Sequence, residues 1–261
     1  ESEEEAIEIA NAVLNQFTQP IEIGSSRFYV STSIGISITK DENANVDDLI
    51  RQADLAMYEA KDDGGGCYHI YNLNMYQRLA HRVMLESEVR EALQLNQFSL
   101  SLQPQINIED NKLHGFEALL RWHHPERGMV SPDDFIPILE NSQHMIELGY
   151  WVIRHCFELM EELISMGYDD INIAINLSAG QFTDDGLVDF LKGLIREFEI
   201  PAEKFELELT EHTLVKDMDK TLVTMETLKS LGFSFAIDDF GTGYSSLGYL
   251  KKMPVEVIKI D

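Results

Sequence analysis

Strands with strictly alternating side chains, separated by helices, constrain the fold of this chain more than any other feature of its sequence. In "INIAINLS" (171–178), apolar residues at every second position alternate with asparagine and alanine. "FELELT" (205–210) and "FSFAID" (233–238) alternate in the same way, with carboxylates on the second face. A doubly wound sheet is buried on both faces, so the sequences of its strands are continuously apolar. The polar second face therefore favours a barrel whose interior opens into a site.

The chain divides by pattern into two parts, residues 1–80 and 81–261. The first part predicts an α+β arrangement of helices, a hairpin-like pair formed by residues 21–30 and 31–38, and a short strand at 67–71. The second begins with an amphipathic helix and then alternates strands with helices, which predicts a TIM-like (β/α) barrel. A complete barrel has eight strands. Six are predicted here, so the C-terminal strands are expected to be missing: "FSLSLQ", "KLHGFEALLRW", "INIAINLS", "FELELT", "FSFAID" and "VEVIKI".

Charge and composition exclude several classes of function. The chain has 46 acidic and 20 basic residues, a net charge of -26, and its cations form no stripe. Binding along a nucleic-acid polymer is therefore not expected, because phosphate recognition needs clustered cations. No apolar run approaches the ~20 residues of a membrane span, and no signal peptide is visible. We expect a cytoplasmic protein, in fragment form at both ends, whose parent could be membrane-anchored through a missing N-terminal region.

Polar residues lie near the predicted carboxyl ends of four strands, on the second face: Asn176, Glu208, Asp238 and Lys259. Glu117 falls on the corresponding parity of a fifth strand, "KLHGFEALLRW". Catalytic groups of such barrels lie at these strand ends. A single acidic residue there is more often a solvated charge, but five on matching parity favour a site. Converging carboxylates need raised pKa values or cations, and oxygen donors without His or Cys suit Mg²⁺ or Mn²⁺ rather than Zn²⁺.

Two adjacent aspartates lie in "FAIDDFGTGYSSLGYL" (235–250). Alternation directs Asp238 inward. Asp239 would point outward if the strand continued, but a turn at Phe240 and Gly241 is expected to free it to reach the rim. Such a pair can bridge two ions about 3.5–4 Å apart, the arrangement that clamps the attacking and leaving oxygens in phosphoester cleavage.

Five ordered motifs resemble the EAL domain of cyclic di-GMP phosphodiesterases, over about residues 82–261. They are "EALLRW" (117–122), "NLS" (176–178), "ELTE" (208–211), "DDFGTGYSSL" (238–247) and "KID" (259–261). The resemblance implies hydrolysis of one phosphodiester of cyclic di-GMP to linear pGpG in bacterial second-messenger signalling, with two Mg²⁺ or Mn²⁺ ions. The alternative is a catalytically inactive sensor of cyclic di-GMP. Lost metal ligands would mark such a sensor, and none is lost between Glu117 and Lys259.

The resemblance also implies a role for each matching residue. The implied metal ligands are Glu117, Asn176, Glu208, Asp238 and Asp239, with Asp238 shared by both ions. Catalytic roles fall on Lys259, which would orient or activate the attacking water, and on Glu117 and Asp239. Because the family's late glutamate falls in the missing part, the fragment by itself is expected to be inactive.

The remaining implications concern the substrate and the partners. Gln103 and Arg121 would contact the dinucleotide, and Glu211 would brace the loop formed by residues 239–246. The resemblance further implies a homodimer through the EAL domain and an upstream sensory domain.

Residues 1–80 resemble the C-terminal half of a GGDEF domain. The matching segments are "STSIGIS" (31–37) and "ADLAMYEAKDDGGG" (53–66). The family usually continues with Gly-Arg-Asn, where this chain has Gly64, Gly65 and Gly66. The lost arginine removes a bidentate phosphate contact that glycine cannot replace. The prediction for this part is therefore a regulatory role rather than cyclase activity.

Overall fold

The computed structural model describes residues 2–23, 26–41, 43–140, 142–210, 213, 218–241 and 253–260. The chain forms two compact units, residues 1–84 and 85–261. The first unit contains α1 (Glu3–Gln16), β1 (Ile21–Ile23), β2 (Ser26–Phe28), β3 (Ile34–Ile36), α2 (Val46–Asp62) and β4 (Tyr68–Ile70). The next helix, α3 (Leu73–Gln94), contains the boundary between the units.

The first unit has the predicted α+β pattern, but its strands pair differently from the prediction. The hairpin joins β1 to β2, both within residues 21–30, and its register places Ile23 opposite Ser26. Only two residues separate these partners, which is the commonest hairpin connection. Strand β3 instead pairs in parallel with β4. The parallel pair is feasible because α2 provides the long crossover connection that parallel strands require.

The second unit continues from α3 with strands and helices in alternation. Its strands are β5 (Phe98–Ile106), β6 (Leu113–His124), β7 (Gly128–Val130), β8 (Asn172–Leu177), β9 (Phe205–Thr210), β10 (Ser234–Asp238) and β11 (Val257–Ile258). Its helices are α4 (Pro132–Leu139), α5 (Gln143–Ser165), α6 (Ala179–Phe182), α7 (Leu187–Phe198), the short 3-10 turn Ala202–Lys204, and α8 (Met218–Ser230).

One sheet orders these strands as β11-β10-β9-β8-β6-β5, and β7 pairs with β6. The pairs from β6 through β8, β9 and β10 to β11 are parallel. Strand β5 departs from the repeat, since it runs antiparallel to β6. The six residues 107–112 between them are too few for a parallel crossover. The strand–helix alternation and the TIM-like barrel architecture predicted from the sequence are confirmed.

The outward faces of the strands form the core with the helices. Phe205 and Phe235 are fully buried. Phe157 of α5 stacks on Phe205 with ring centroids 4.0 Å apart, and Phe182 of α6 meets Phe235 edge-on at 6.2 Å. The opposite faces carry the polar residues of the alternation, so the apolar face anchors each strand while the polar face is left for a site. None of the helices in the described ranges is long and apolar enough to cross a membrane.

Candidate active site

Five neighbouring strands deliver polar side chains to one end of the sheet. In the strand register Asn176 of β8 lies opposite Glu208 of β9, and Glu208 lies opposite Ala236 of β10. Asp238 is the last residue of β10, and Lys259 directly follows β11. Since successive side chains of a strand point to opposite faces, this register places the acidic side chains on one surface. The small side chain of Ala236 leaves room beside Glu208.

The Lys259 ammonium lies at the centre of this surface. Its Nζ donates hydrogen bonds to Glu208 Oε2 at 2.7 Å, Glu117 Oε2 at 3.0 Å and Asp238 Oδ2 at 3.2 Å. Ligand atoms of the three acidic residues all lie within 4.8 Å of one another. The structure thus brings together four groups that the strand parity singled out.

Glu208 is the most buried member of this cluster, with a side chain that has no solvent exposure. Burial raises the pKa of the Glu208 carboxyl to about 7, against the opposing effect of the hydrogen bond from Lys259; the charges of Glu117 and Asp238 raise it further. Burial acts to lower the pKa of Lys259, but its hydrogen bonds with Glu208 and Glu117 outweigh that effect and raise it. Three carboxyl groups thus surround a single ammonium, so the cluster carries excess negative charge once all three are ionised.

Asn176 and Asp239, the other two predicted ligands, lie next to the cluster of Glu117, Glu208 and Asp238. Asn176 Nδ2 donates to Glu117 Oε1 at 2.8 Å, which attaches the amide to the cluster. The Asp239 backbone N–H donates to Asp238 Oδ1 at 3.0 Å. The expected turn is present at Phe240 and Gly241, and the backbone already leaves the strand conformation at Asp239, whose φ of 53° is in the left-handed region. Aspartate adopts this conformation more readily than most residues, so the second aspartate can lead into the turn while it lines the cavity beside the cluster.

A cavity of about 390 Å³ opens beside the acidic cluster, between the strand ends and helices α4 and α5. Its volume is in the range of small-molecule sites. Its polar lining includes Arg121, Asp133, Glu140, Asn176, Asp238 and Asp239. The predicted substrate residue Arg121 thus lines the cavity. Gln103 is exposed and lies opposite Glu117 in the β5–β6 register, next to the cluster. Glu211 and residues 242–246 of the predicted loop lie outside the described residues.

A support beneath Asn176 was missed by the sequence interpretation. Ser178 and Gln181 form a reciprocal capping box at the start of α6: Ser178 N–H donates to Gln181 Oε1 at 2.9 Å, and Gln181 N–H to Ser178 Oγ at 3.3 Å. The Gln181 side chain is buried against Gly149 of α5, where a β-carbon would lie 1.5 Å from Nε2. The signal was present in the sequence, because "SAGQ" (178–181) has the Ser-x-x-Gln spacing of a capping box.

Replacing Gly149 by alanine is expected to destabilise the protein by about 1–3 kcal/mol, the usual cost of overpacking. The added methyl group must displace Gln181 and break the capping box. Urea unfolding of the variant measures this loss. Gly193→Ala is the matched control, since no atom lies within 4 Å of its β-carbon position on α7. That control should gain up to about 1 kcal/mol from helix propensity, and equal effects of both substitutions would contradict the packing argument.

Glu208 should make the stability of the metal-free protein depend on pH. The unfolded chain loses this proton near its ordinary pKa of 4.5, whereas the folded chain keeps it to about pH 7. The stabilising contribution is therefore present at low pH and is lost as the pH rises from 4.5 to 7, on the order of 3 kcal/mol in total. The contribution of Lys259, whose pKa is raised from 10.5, is constant over this window. Urea unfolding in chelator at pH 5 and pH 8 should show the loss in the wild type and a smaller one in Glu208→Gln; equal losses would contradict the assignment.

The donor set suits a hard divalent cation. Carboxylate oxygens of three residues lie close together, the Asn176 side-chain amide is hydrogen-bonded to one of them, and the cluster contains no thiolate or imidazole among the described residues. Glu208 Oε1 is buried and has no hydrogen-bond partner within the described residues. A buried carboxylate oxygen without a partner is costly, and a bound cation would satisfy it. Oxygen ligands of this kind favour Mg²⁺ or Mn²⁺.

Comparison with known proteins gives two family matches. The EAL domain model matches residues 86–261, and the model "Diguanylate cyclase, GGDEF domain" matches residues 1–67. Among curated relatives, the bifunctional diguanylate cyclase/cyclic di-GMP phosphodiesterase MucR of Pseudomonas aeruginosa is 36% identical over 257 residues, which cover 98% of this chain and 38% of MucR. The cyclic di-GMP phosphodiesterase PdeR of Escherichia coli is 34% identical over 253 residues, covering 97% of this chain and 38% of PdeR.

A solved structure of the PaMucR phosphodiesterase in complex with c-di-GMP has the same fold. It is 40% identical in sequence and superposes with a TM-score of 0.65 over 68% of this chain and 72% of that chain. The chain spans less than half the length of the two curated relatives described above. The predicted family resemblance is confirmed for both parts of the chain.

Proposed function

Because this chain belongs to the EAL domain family, we propose that the full-length protein of which it is part hydrolyses one phosphodiester bond of cyclic di-GMP to give linear pGpG. The observation that carries the proposal is the cluster of Glu117, Glu208 and Asp238, whose ligand atoms lie within 4.8 Å of one another at the strand ends. The relatives MucR and PdeR are named as cyclic di-GMP phosphodiesterases. The cavity beside the cluster has a volume suited to part of a dinucleotide.

Divalent cations, Mg²⁺ or Mn²⁺, are the proposed cofactors. The residues that would hold them are Glu117, Asn176, Glu208, Asp238 and Asp239. When bound, such ions neutralise charge on the phosphate and lower the pKa of water. Two such ions are part of the proposal, and Asp238 and Asp239 are the residues that would hold the second one. The binding of a cation is supported by Glu208 Oε1, which is buried and has no hydrogen-bond partner among the described residues.

The reaction requires an in-line displacement at phosphorus. Water adds to phosphorus, the bond to one 3′ oxygen breaks, and that oxygen takes a proton as the ring opens. Lys259 is the proposed group that orients the attacking water, since its flexible side chain starts directly after β11, beside the acidic cluster. Glu117 and Asp239 are the other proposed catalytic groups. Arg121, in the wall of the cavity, and Gln103, opposite Glu117, would contact the dinucleotide.

For the remainder of the chain we propose that residues 1–80 have a regulatory role and that residues 81–261 carry the phosphodiesterase. Three consecutive glycines with positive φ, Gly64, Gly65 and Gly66, follow α2 where the GGDEF family carries an arginine. A homodimer through the EAL domain, an upstream sensory domain, a brace from Glu211 and a cytoplasmic location stay predictions.

The proposal is tested by incubating the full-length protein with cyclic di-GMP and Mg²⁺ or Mn²⁺ and separating the products by chromatography. Release of pGpG in proportion to enzyme is the expected result. Mononucleotide cyclic GMP is the control substrate, because it cannot span both the cluster and the cavity and should be hydrolysed far more slowly. Absence of pGpG with either metal would contradict the proposed function.

A further inference from the structure

The Lys259 ammonium uses its whole hydrogen-bonding capacity inside the acidic cluster. An ammonium group has three N–H donors and no acceptor. Here Nζ faces one oxygen from each of Glu208, Glu117 and Asp238, at 2.7, 3.0 and 3.2 Å. These are the same three residues that could hold a metal ion. The positively charged ammonium of Lys259 therefore lies between the three residues.

Mg²⁺-type ions bind oxygen at about 2.0–2.1 Å. An ion at that distance from all three acidic residues would overlap the space of the ammonium, and the two like charges would also repel each other. The lysine and a divalent ion thus cannot share this position.

The attachment of Lys259 allows the ammonium to move while its backbone stays in place. The backbone N–H donates to Ile237 O at 2.8 Å, and the carbonyl accepts from Phe240 N–H at 3.2 Å. The flexible four-carbon stem can therefore swing without disturbing the β10–β11 pairing. The side chain is 26% exposed, which leaves it a route toward solvent.

We infer that Lys259 is a built-in counter-ion, which occupies the metal position in the metal-free protein and withdraws when a divalent cation binds. The inference rests on the proposed function for the existence of the metal position, and it adds a second role to the water-orienting one. It has two consequences. The lysine compensates the buried Glu208 carboxylate before metal arrives, and its displacement lowers the affinity for the metal.

Lys259→Met tests the inference, because methionine keeps an unbranched side chain and removes the charge. Mn²⁺ binding is measured by calorimetry and by electron paramagnetic resonance in the metal-stripped full-length protein, without substrate. The variant is expected to bind Mn²⁺ about 10- to 100-fold more tightly, the factor that corresponds to one lost charge-assisted hydrogen bond. Lys192→Met is the matched control, since Lys192 lies on α7 in a surface pair with Asp189, and it should bind Mn²⁺ like the wild type. Unchanged or weaker binding by Lys259→Met would overturn the inference.

A crystal structure of the wild-type protein with Mn²⁺ provides a test that does not depend on the stability of the variant. Withdrawal of Nζ from the three carboxylates supports the inference, and Nζ still bonded to all three overturns it. The outcomes also separate the inference from the proposed function. Tighter Mn²⁺ binding by the variant, combined with no hydrolysis by the wild type, would uphold the counter-ion and reject the phosphodiesterase. Equal Mn²⁺ binding by the variant and the wild type, combined with hydrolysis by the wild type, would reject the counter-ion and uphold the phosphodiesterase. No Mn²⁺ binding by either protein would reject both.

Discussion

Asp238→Asn is expected to lower the rate of cyclic di-GMP hydrolysis by about 10²–10⁴-fold, because a metal site supplies several kcal/mol of charge stabilisation in the transition state. Asparagine has the same shape as aspartate. Its amide oxygen can still accept the hydrogen bond from the Asp239 backbone N–H, which is 3.0 Å long in the wild type. What the variant loses is the negative charge that faces Lys259 at 3.2 Å and that would be shared by the metal ions. The fold is therefore retained while the site is disabled.

Product release at saturating substrate, together with a thermal unfolding curve, measures both parts of this expectation. Asp189→Asn is the matched control, since Asp189 is on the exposed side of α7, with a side chain 88% exposed, and pairs only with Lys192 in the described contacts. The control should keep wild-type activity. Hydrolysis by Asp238→Asn at more than half the wild-type rate would contradict the metal role of this residue.

The membership of the site could be predicted because the period of a strand is short. Side chains two residues apart share a face, so the alternation in residues 171–178, 205–210 and 233–238 already assigned Asn176, Glu208 and Asp238 to one surface. The prediction holds even for residues that are far apart in the sequence. Lys259 and Glu117 are 142 residues apart in sequence and 3.0 Å apart in space, and the parallel register of the strands is what brings them together.

The geometry inside the site could not be predicted in the same way. Parity states which face a residue is on, but it does not state which atoms meet. The central position of Lys259 depends on the exact register of β10 and β11. The left-handed conformation of Asp239 depends on where β10 ends, which strand propensity does not determine. The antiparallel β5 could have been predicted, because the short link of residues 107–112 already excludes a crossover.

Metal removal is expected to abolish hydrolysis and also to weaken substrate binding. Without a divalent ion, the phosphate meets Glu117, Glu208 and Asp238, which only Lys259 balances in the described cluster. The overall charge of -26 adds to the repulsion. Treatment with chelator should reduce pGpG release to background, and Mg²⁺ or Mn²⁺ should restore it. Zn²⁺ should restore less, because the donors are oxygens that suit harder ions.

The same experiment separates an enzyme from a sensor when binding is measured beside turnover. Calorimetry with cyclic di-GMP in chelator should show weak binding, since the anionic phosphate then approaches an anionic site, and added NaCl at equal ionic strength should not mimic the effect of the metal. A sensor does not need the metal to hold its ligand. Tight binding in chelator, with no turnover after Mg²⁺ or Mn²⁺ is restored, would therefore reject the phosphodiesterase and assign the acidic cluster and its cavity to ligand sensing.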